Sequence, residues 1–370
     1  MNFTKEQFYQ RQTILKEFGE RGQQKLQEAK ILIIGCGGLG NPAAVYLAAS
    51  GIGRLHLIDF DTINITNLHR QVFFKTAQIG KSKAEVLAKH IQEIAPLVAV
   101  TFSNQAISKA NIAATISDFD IVLDCTDSLT IKYLINDTCV LQDKPLIYGS
   151  LYKFDGYVAS FNVSETSEKR TANLRDAFPE IPKTMIPNCA EVGTLNPIVG
   201  SIGIMQANEV IKIVTGIGTP LINQILILNS LDNSQFRMKL KTKITKREIE
   251  KIYAKSDYFD ATCEIQETHL LITPKQLRQN LKTKKPTLIS VIEDVDFELP
   301  FLVDAKIPLS KFSNWIGSTE QKEILEQQAN NEIVIVCKKG ITSYTAAKIW
   351  HDHFPNSLVF SLKNGIEAYE

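Results

Sequence analysis

A glycine-rich turn between an apolar segment and a predicted helix constrains the fold of this chain more than any other feature. The apolar run Ile31–Ile34 has the length of a buried strand, and Gly35–Gly40 follows it with the spacing G-x-G-x-x-G. Glycines in this spacing permit a tight turn and a close approach of the backbone to phosphate groups. A helix that starts near Gly38 would present free N–H groups and the positive end of its dipole to an anion.

A second apolar strand, predicted at 55–60, supports a nucleotide-binding role for this turn. It contains Asp59, which lies about twenty residues past the glycines, where a βαβ unit of this kind places the acid that binds a ribose. An isolated G-x-G-x-x-G is often no more than a tight strand–helix turn. Because this turn has a strand before it and an acid after it, the sequence favours a nucleotide site.

Strand and helix patterns alternate along the first 150 residues, which predicts a mostly parallel sheet with helices on both faces. An amphipathic helical stretch is predicted at 4–28. Further strands are predicted near 98–103, 120–125 and 145–149, and helices near 39–50, 81–94, 109–116 and 129–141. Beyond them the pattern predicts a strand at 155–162, a mobile polar loop at 164–183, a helix at 197–215 and a hairpin over 221–228 and 234–240.

Composition excludes several classes of protein. The chain has 370 residues, enough for two or three domains, and a net charge of +1, which gives no general attraction to nucleic acid or membrane. The N-terminus lacks an apolar signal core, and no apolar run looks long enough to span a bilayer, so we expect a cytoplasmic protein. The six cysteines form no C-x-x-C pair, which argues against a zinc ribbon and a disulfide framework.

Three charged residues point to the kind of nucleotide. Arg70 lies in the segment Asn67–Gln71, Lys83 in Gly80–Lys83, and Asp127 comes with Asp124 directly after an apolar strand. Two cations and a carboxylate at the carboxyl edge of a sheet suit a triphosphate with magnesium better than a nicotinamide. Taken singly, Arg70 and Lys83 could be surface charges, and Asp127 could be the N-cap of the next helix.

Residues 8–240 resemble the MoeB/ThiF/HesA branch of the ubiquitin-activating-type adenylyltransferases. The segments that carry this resemblance occur in the order typical of that family. They are Tyr9–Gln12, Gly22–Gln23, Gly35–Gly40, Asp59–Asp61, Asn67–Gln71, Gly80–Lys83, Asp124–Asp127 and Cys189–Gly193. The resemblance implies an α/β fold with a Rossmann-like, mostly parallel sheet, and ATP with Mg²⁺ as the nucleotide.

The resemblance also implies roles for individual residues. Gly38 would contact the phosphates, Asp59 the ribose, and Asp127 the magnesium ion. Arg11 would reach into the site of a partner subunit, so a homodimer is expected. The whole implied nucleotide-binding set is Gly38, Asp59, Asp61, Thr66, Asn67, Leu68, His69, Arg70, Lys83, Asp127 and Ser128, and the implied catalytic set is Arg11, Arg70, Lys83, Asp127, Cys189 and Cys337.

The implied substrate is the C-terminal Gly-Gly carboxylate of a small ubiquitin-like sulfur-carrier protein. That carboxylate would attack the α-phosphate of ATP, release pyrophosphate and leave an acyl-adenylate. Preplaced cations would lower this barrier because negative charge develops on the phosphate oxygens. The product would serve a molybdopterin-type, thiamine-type or related sulfur pathway, with a cysteine desulfurase as the expected sulfur donor.

Three departures from the family pattern stand out. The family's two C-x-x-C zinc pairs are missing, and Cys263 alone cannot build a tetrahedral site, so no structural zinc is predicted. Ser128 stands where the family has asparagine. Cys189 occupies the place of a cysteine that joins covalently to the carrier in some relatives, and it could equally be a thiol without a catalytic role.

A second α/β pattern begins near 269, with strands at 287–292, 332–337 and 357–361 and a helix at 343–353. Cys337 would lie between a strand and a helix N-terminus beside Lys338 and Lys339, which favours the thiolate. The spacing C-x-x-G-x-x-S over Cys337–Ser343 resembles a rhodanese-like sulfurtransferase loop, although Thr342 replaces the usual arginine and Ser290–Ile292 replaces an Asp-Val-Arg motif.

We therefore predict an adenylyltransferase domain over 1–245, a linker over 246–268 and a small α/β rhodanese-like domain over 269–370. The favoured function is carrier adenylylation followed by sulfur transfer. An inert C-terminal docking domain, a non-catalytic scaffold for a ubiquitin-like partner, and a nicotinamide dehydrogenase are the alternatives.

Overall fold

The computed structural model describes residues 3–166, 169–180, 193–256, 258, 268–326 and 332–369. The chain divides into two compact units. The described residues up to Tyr258 form the first, and those from Thr268 onward form the second. Each unit has a hydrophobic core of its own.

The first unit is built on one eight-stranded sheet. Its strands are β1 (Lys30–Ile34), β2 (Arg54–Ile58), β3 (Ala99–Ser103), β4 (Ile121–Asp124), β5 (Leu146–Tyr152), β6 (Asp155–Phe161), β7 (Gln224–Asn229) and β8 (Gln235–Lys239). Its helices are α1 (Lys5–Thr13), α2 (Gly19–Glu28), α3 (Gly40–Ala49), α4 (Lys83–Ile94), α5 (Ile112–Ser117), α6 (Leu129–Leu141), α7 (Leu174–Ala177), α8 (Asn196–Thr215) and α9 (Lys246–Lys255).

The strand order is β3-β2-β1-β4-β5-β6-β7-β8. Strands from β3 to β5 are parallel, and those from β5 to β8 are antiparallel. Helix α8 contacts α2 and α3, α3 contacts α4, and α6 contacts α5, α7 and α9, as expected for helical layers on both faces of the sheet. The predicted fold class is therefore confirmed. The order reverses between β1 and β4, and open α/β sheets bind ligands at such a switch point.

Two predictions for the first unit are wrong in detail. The predicted linker begins with a helix, α9, which packs against α6. The predicted mobile loop contains an ordered, buried stretch in which Thr171, Asn173 and Arg175 are all at most 4% exposed. Polar composition suggested a solvated loop, but α6 supplies buried polar partners for Asn173 and Arg175, and the hydroxyl of Thr171 accepts from the N–H of Val163.

Helix α8 is long and apolar enough to span a bilayer by length and composition, contrary to the expectation from sequence. It packs instead against α2, α3, β5 and β6. A side chain at Gly156 of β6 would collide with Ile202 of this helix. Its apolar character is therefore that of a core helix.

The second unit has a five-stranded parallel sheet of order β11-β10-β12-β13-β9. The strands are β9 (Leu271–Ile272), β10 (Thr287–Ser290), β11 (Ala305–Lys306), β12 (Glu332–Val336) and β13 (Leu358–Leu362). The helices are α10 (Pro274–Thr283), α11 (Leu309–Trp315), α12 (Thr319–Glu326) and α13 (Ile341–His353). The predicted small α/β unit is thus present.

Candidate active site

The glycine turn joins β1 to α3 and leaves no room for side chains at two of its positions. Gly35 has a φ of +96°, and a Cβ there would lie 2.6 Å from the carbonyl oxygen of Cys125. A Cβ at Gly40 would lie 1.8 Å from the carbonyl oxygen of Gly35. The turn therefore packs backbone against backbone, and α3 begins at Gly40, where the turn ends.

Asp59, just past the end of β2, is held against this turn. One of its carboxylate oxygens accepts a hydrogen bond from the N–H of Cys36 at 2.7 Å, and the other accepts from the N–H of Asp61 at 2.8 Å. Burial raises the pKa of Asp59, although the positive charge of Lys83 and these two N–H groups act in the opposite direction. The carboxylate is thus oriented beside the turn, as a ribose-binding acid requires.

Lys83, the first residue of α4, is buried and forms an ion pair with Asp61, with 2.7 Å between Nζ and Oδ2. The side chain of Asp61 is half exposed. Lys83 is therefore a fixed positive charge beside the two aspartates rather than a solvated surface lysine. A surface role for Lys83, which the sequence left open, is wrong.

The segment that carries Arg70 lies against the same turn. A short 3₁₀ helix, Ile65–Asn67, orders it, and Nη1 of Arg70 donates to the carbonyl oxygen of Thr66 at 3.1 Å. Oδ1 of Asn41, in the first turn of α3, accepts from the N–H of Phe73 at 3.0 Å. A Cβ at Gly37 would lie 3.4 Å from Nε2 of Gln71. Thr66 and His69 are exposed, and Asn67, Leu68 and Arg70 are half-buried.

The turn after β4 separates two aspartates that look alike in the sequence. Asp124 is completely buried and pairs with Lys132 of α6 at 2.9 Å, whereas Asp127 is exposed. Ser128, and not Asp127, is the N-cap of α6, because its hydroxyl accepts from the N–H of Ile131 at 3.1 Å. The alternative that Asp127 caps this helix is therefore wrong, and its carboxylate faces solvent.

These groups belong to one site because β1 lies between β2 and β4 in the sheet. The loops that leave the carboxyl ends of these strands carry Gly38, Asp59 and Asp127, and the contacts above connect the first loop to the segment that carries Arg70 and to Cys125. Burial raises the pKa of the Cys125 and Cys36 thiols, so neither is a ready nucleophile. The structure thus assembles a glycine-lined edge that carries two cations, Arg70 and Lys83, and three carboxylates, of which those of Asp61 and Asp127 are exposed.

Three residues predicted for catalysis lie elsewhere or outside the described ranges. Arg11 is exposed in the last turn of α1. Cys189 lies outside the described residues, as does Cys263. Cys337 belongs to the second unit.

Sequence reasoning missed Lys132. It is the one cation in the sequence of α6, whose other positions are mostly apolar. A lone lysine on an otherwise buried helix, close after an aspartate at a strand end, is a signal that could have predicted a buried ion pair.

Cys337, at the end of β12, is buried, and its sulfur lies in a cradle of donors. It accepts from the N–H groups of Gly340 at 3.1 Å and Ser343 at 3.2 Å, and it lies 3.1 Å from Oγ of Ser343. Behind it, the hydroxyls of Ser343 and Ser361 are 2.8 Å apart. Nζ of Lys338 lies 4.2 Å from the ring centre of Phe297. This loop geometry would stabilise a negatively charged sulfur.

A magnesium ion fits this site only with help from a nucleotide. Within the described ranges, no group of three His, Cys, Asp or Glu side chains could hold a metal ion. Mg²⁺ is commonly bound by one or two carboxylates together with substrate phosphates. The exposed carboxylate of Asp127 meets that requirement, and the absence of structural zinc stays a prediction.

Comparison with known protein families matches residues 9–253 to the ThiF family. The chain belongs to the ThiF family. It is 32% identical to the adenylyltransferase and sulfurtransferase MOCS3 of Drosophila grimshawi, over 98% of this chain and 83% of that protein. It is also 32% identical to a probable adenylyltransferase/sulfurtransferase MoeZ of Mycobacterium tuberculosis, over 91% of this chain and 86% of that protein.

A sulfur carrier protein adenylyltransferase of Thermus thermophilus is 37% identical over 63% of this chain and 88% of its own length. Among solved structures, E. coli MccB with MccA-N7isoASN has a TM-score of 0.57 at 24% identity, covering 65% of this chain and 74% of that one. E. coli MccB with ATP has a TM-score of 0.53 at 25% identity, covering 60% and 67%.

This ThiF-family chain is an adenylyltransferase, and ThiF-family adenylyltransferases use ATP. The family assignment contradicts the dehydrogenase and scaffold alternatives and agrees with the charged edge of the sheet.

Proposed function

We propose that this enzyme adenylylates the C-terminal Gly-Gly carboxylate of a small ubiquitin-like sulfur-carrier protein and then converts it to a thiocarboxylate. The observation that carries the proposal is the convergence of the glycine turn, Asp59, Lys83 and Asp127 on one edge of the first sheet. The names of the relatives support the substrate class, since one is a sulfur carrier protein adenylyltransferase and two are adenylyltransferase/sulfurtransferases.

The residues divide the work of adenylylation. Asp59 would accept the ribose hydroxyls, and the glycine turn with the N-terminus of α3 would bind phosphate oxygens. Arg70 and Lys83, with Asn67, would stabilise the negative charge that develops on the α-phosphate as the carboxylate attacks. Because these groups are held by contacts within the fold, little reorganisation is needed during the reaction.

Asp127 would hold Mg²⁺ together with the nucleotide phosphates. The ion supplies neutralisation of phosphate charge when it is bound. The protein contributes the carboxylate of Asp127, which is exposed and does not cap α6.

The second unit would supply the sulfur. The Cys337 thiolate takes a sulfane sulfur atom from a persulfide donor such as a cysteine desulfurase, and the donor leaves as a thiolate. The terminal sulfur of the Cys337 persulfide attacks the acyl carbon of the acyl-adenylate, and AMP leaves. An external dithiol then cleaves the acyl disulfide, which releases the thiocarboxylate and restores the thiol.

Thr342, in place of the usual arginine, favours the alternative that this unit only docks the partner or donor. Covalent use of Cys189 stays a hypothesis, which thiocarboxylate formation by the Cys189→Ser variant tests.

We further propose that the enzyme is a homodimer in which Arg11 completes the site of the partner subunit. Its exposed position on α1 leaves it available to another chain.

ATP–pyrophosphate exchange with a Gly-Gly carrier tests the adenylylation. Asp127→Ala should lower the exchange rate about a hundredfold, because a preorganised charge partner is lost. Asp118→Ala is the matched control, since Asp118 is exposed and precedes the opposite end of β4. Near-normal exchange by Asp127→Ala would refute the magnesium role.

The same assay tests the dimer. If Arg11 acts across subunits, a dimer of one Arg11→Ala and one Asp127→Ala chain has one intact site. After co-expression, roughly half of the dimers pair the two variants, and each of these has one intact site of two. The exchange rate should therefore recover to roughly a quarter of the wild-type rate. No recovery would contradict a shared site.

A further inference from the structure

The ion pair between Asp124 and Lys132 is buried within the unit that carries the candidate nucleotide site. The two side chains are 0% and 3% exposed, and 2.9 Å separates Oδ2 from Nζ. Nζ also donates to the carbonyl oxygen of Gly149 at 2.7 Å and lies 5.0 Å from the ring centre of Tyr148. Burial opposes the charge on Lys132, but the combined attraction of Asp124, Tyr148 and Cys125 outweighs it and raises the pKa of the ammonium group.

The second oxygen of Asp124 fixes the turn that follows β4. Oδ1 accepts from the N–H of Thr126 at 3.0 Å and from its hydroxyl at 2.7 Å. Thr126 directly precedes Asp127, the exposed carboxylate. The contacts thus run without a break from Lys132 on α6 through Asp124 to the residue beside the candidate magnesium ligand.

The backbone of the same turn is held from two other elements. Nε2 of Gln206, on α8, donates to the carbonyl oxygen of Asp124 at 2.8 Å. The N–H of Cys125 donates to the carbonyl oxygen of Ile34 at 2.9 Å, next to the glycine turn. Since β4, α6, α8 and the glycine turn all meet here, the position of Asp127 is set relative to the phosphate-binding groups.

Stability alone does not account for this arrangement. Removing two charges from water is costly, and a well-packed apolar pair of similar volume is often as stable as a buried ion pair. A charged pair has directional hydrogen bonds that an apolar pair lacks. Here the hydrogen bonds of Asp124 hold Thr126, the residue before Asp127.

We propose that Asp124 and Lys132 are positioning residues of the nucleotide site, which act through Thr126 to aim the carboxylate of Asp127 at a nucleotide-bound cation. The proposal rests on the magnesium role proposed above for Asp127.

The test measures how strongly Mg²⁺ promotes ATP binding. ATP is titrated by calorimetry in Mg²⁺ and in EDTA, and the ratio of the two Kd values is the magnesium coupling. Thr126→Val keeps the shape of the side chain and both buried charges but removes the hydroxyl. We expect it to lower the coupling about tenfold, as loss of a hydrogen bond to a charged group does, with the Kd in EDTA unchanged.

Thr126→Ser is the matched control and should keep the wild-type coupling, because it retains the hydroxyl. Lys132→Met should lower the coupling as Thr126→Val does, measured on material with the circular dichroism of the wild type. Should Lys132→Met fail to fold, the Thr126 pair decides alone, since it leaves the ion pair in place.

The Asp127→Ala variant distinguishes failure of the magnesium role of Asp127 from failure of the positioning role of Asp124 and Lys132. If its coupling equals that of the wild type, the magnesium role itself fails. If Asp127→Ala lowers the coupling while Thr126→Val, or a folded Lys132→Met, does not, the positioning role is overturned and the proposed function stands. A merely structural role would change the unfolding temperature but not the ratio of the two Kd values.

Discussion

At the scale of single residues, the protonation of Asp59 governs how the site should respond to pH. Burial raises its pKa above the ordinary value of 3.8, against the opposing effects of Lys83 and two backbone N–H groups. A carboxyl whose folded-state pKa is raised favours the protonated form in the native protein. Acidification through that pKa therefore stabilises the fold but removes the charged acceptor that a ribose hydroxyl needs.

ATP affinity should accordingly fall on acidification at a pH above 3.8, before an ordinary aspartate would titrate. Asp59→Asn should bind ATP about tenfold more weakly at neutral pH, because an amide is a poorer acceptor. Its ATP affinity should also lose the pH dependence that protonation of Asp59 causes and keep only the pH dependence caused by protonation of ATP. Calorimetric titrations of both proteins across the acidic range measure the difference, and identical profiles would contradict the assignment of Asp59.

At the scale of elements, a buried polar cluster joins α6 to the segment that the sequence predicted as a mobile loop. Arg175 of α7 pairs with Asp137 of α6 at 2.7 Å, and its guanidinium lies 4.8 Å from the ring centre of Tyr133. The hydroxyl of Tyr258 donates to Asp137 at 2.5 Å. Asp176 accepts from the N–H groups of Lys243 and Ile244. These contacts connect stretches of chain that are far apart in sequence.

Breaking this cluster should destabilise the first unit. Arg175→Met leaves Asp137 buried without its cation and should cost about 3–5 kcal/mol of unfolding free energy. Tyr258→Phe removes one hydrogen bond to a charged group and should cost about 1.5–3 kcal/mol. Urea denaturation followed by circular dichroism measures both. Lys89→Met is the control, since its pair with Glu85 is exposed and should contribute at most about 1 kcal/mol. An Arg175→Met effect no larger than this control would show that the cluster is dispensable.

At the scale of the whole molecule, each of the two units has its own core and its own candidate chemistry. The nucleotide groups belong to the first unit, and the Cys337 cradle belongs to the second. If the second unit is an active sulfurtransferase, the wild type should transfer sulfur from thiosulfate to cyanide. Cys337→Ala should abolish that transfer and leave ATP–pyrophosphate exchange unchanged.

The converse variant completes this experiment. Asp127→Ala should lower exchange and leave thiosulfate–cyanide transfer intact. If the wild type transfers no sulfur, or Cys337→Ala transfers it as well as the wild type, the second unit acts as a docking module instead.

The sequence predicted much of the fold because many of its signals are local. The glycine turn, the apolar runs of the parallel strands and the order of helices follow from backbone conformation and from the period of apolar residues. Asp59 and Asp127 could be chosen because they lie at the ends of strands, and the ends of parallel strands share one edge of the sheet. The family resemblance, and not their place in a strand, identified Arg70 and Lys83.

What the sequence by itself determined was the architecture and the list of groups available at the nucleotide edge. Only the tertiary structure decided what each group does there. Asp124 and Asp127 follow the same strand, and packing with α6 buries the first against Lys132 and leaves the second exposed. Lys83 pairs with Asp61, and Arg175 is buried although its segment is polar. A charge finds its partner through three-dimensional packing of distant segments, which no local pattern encodes.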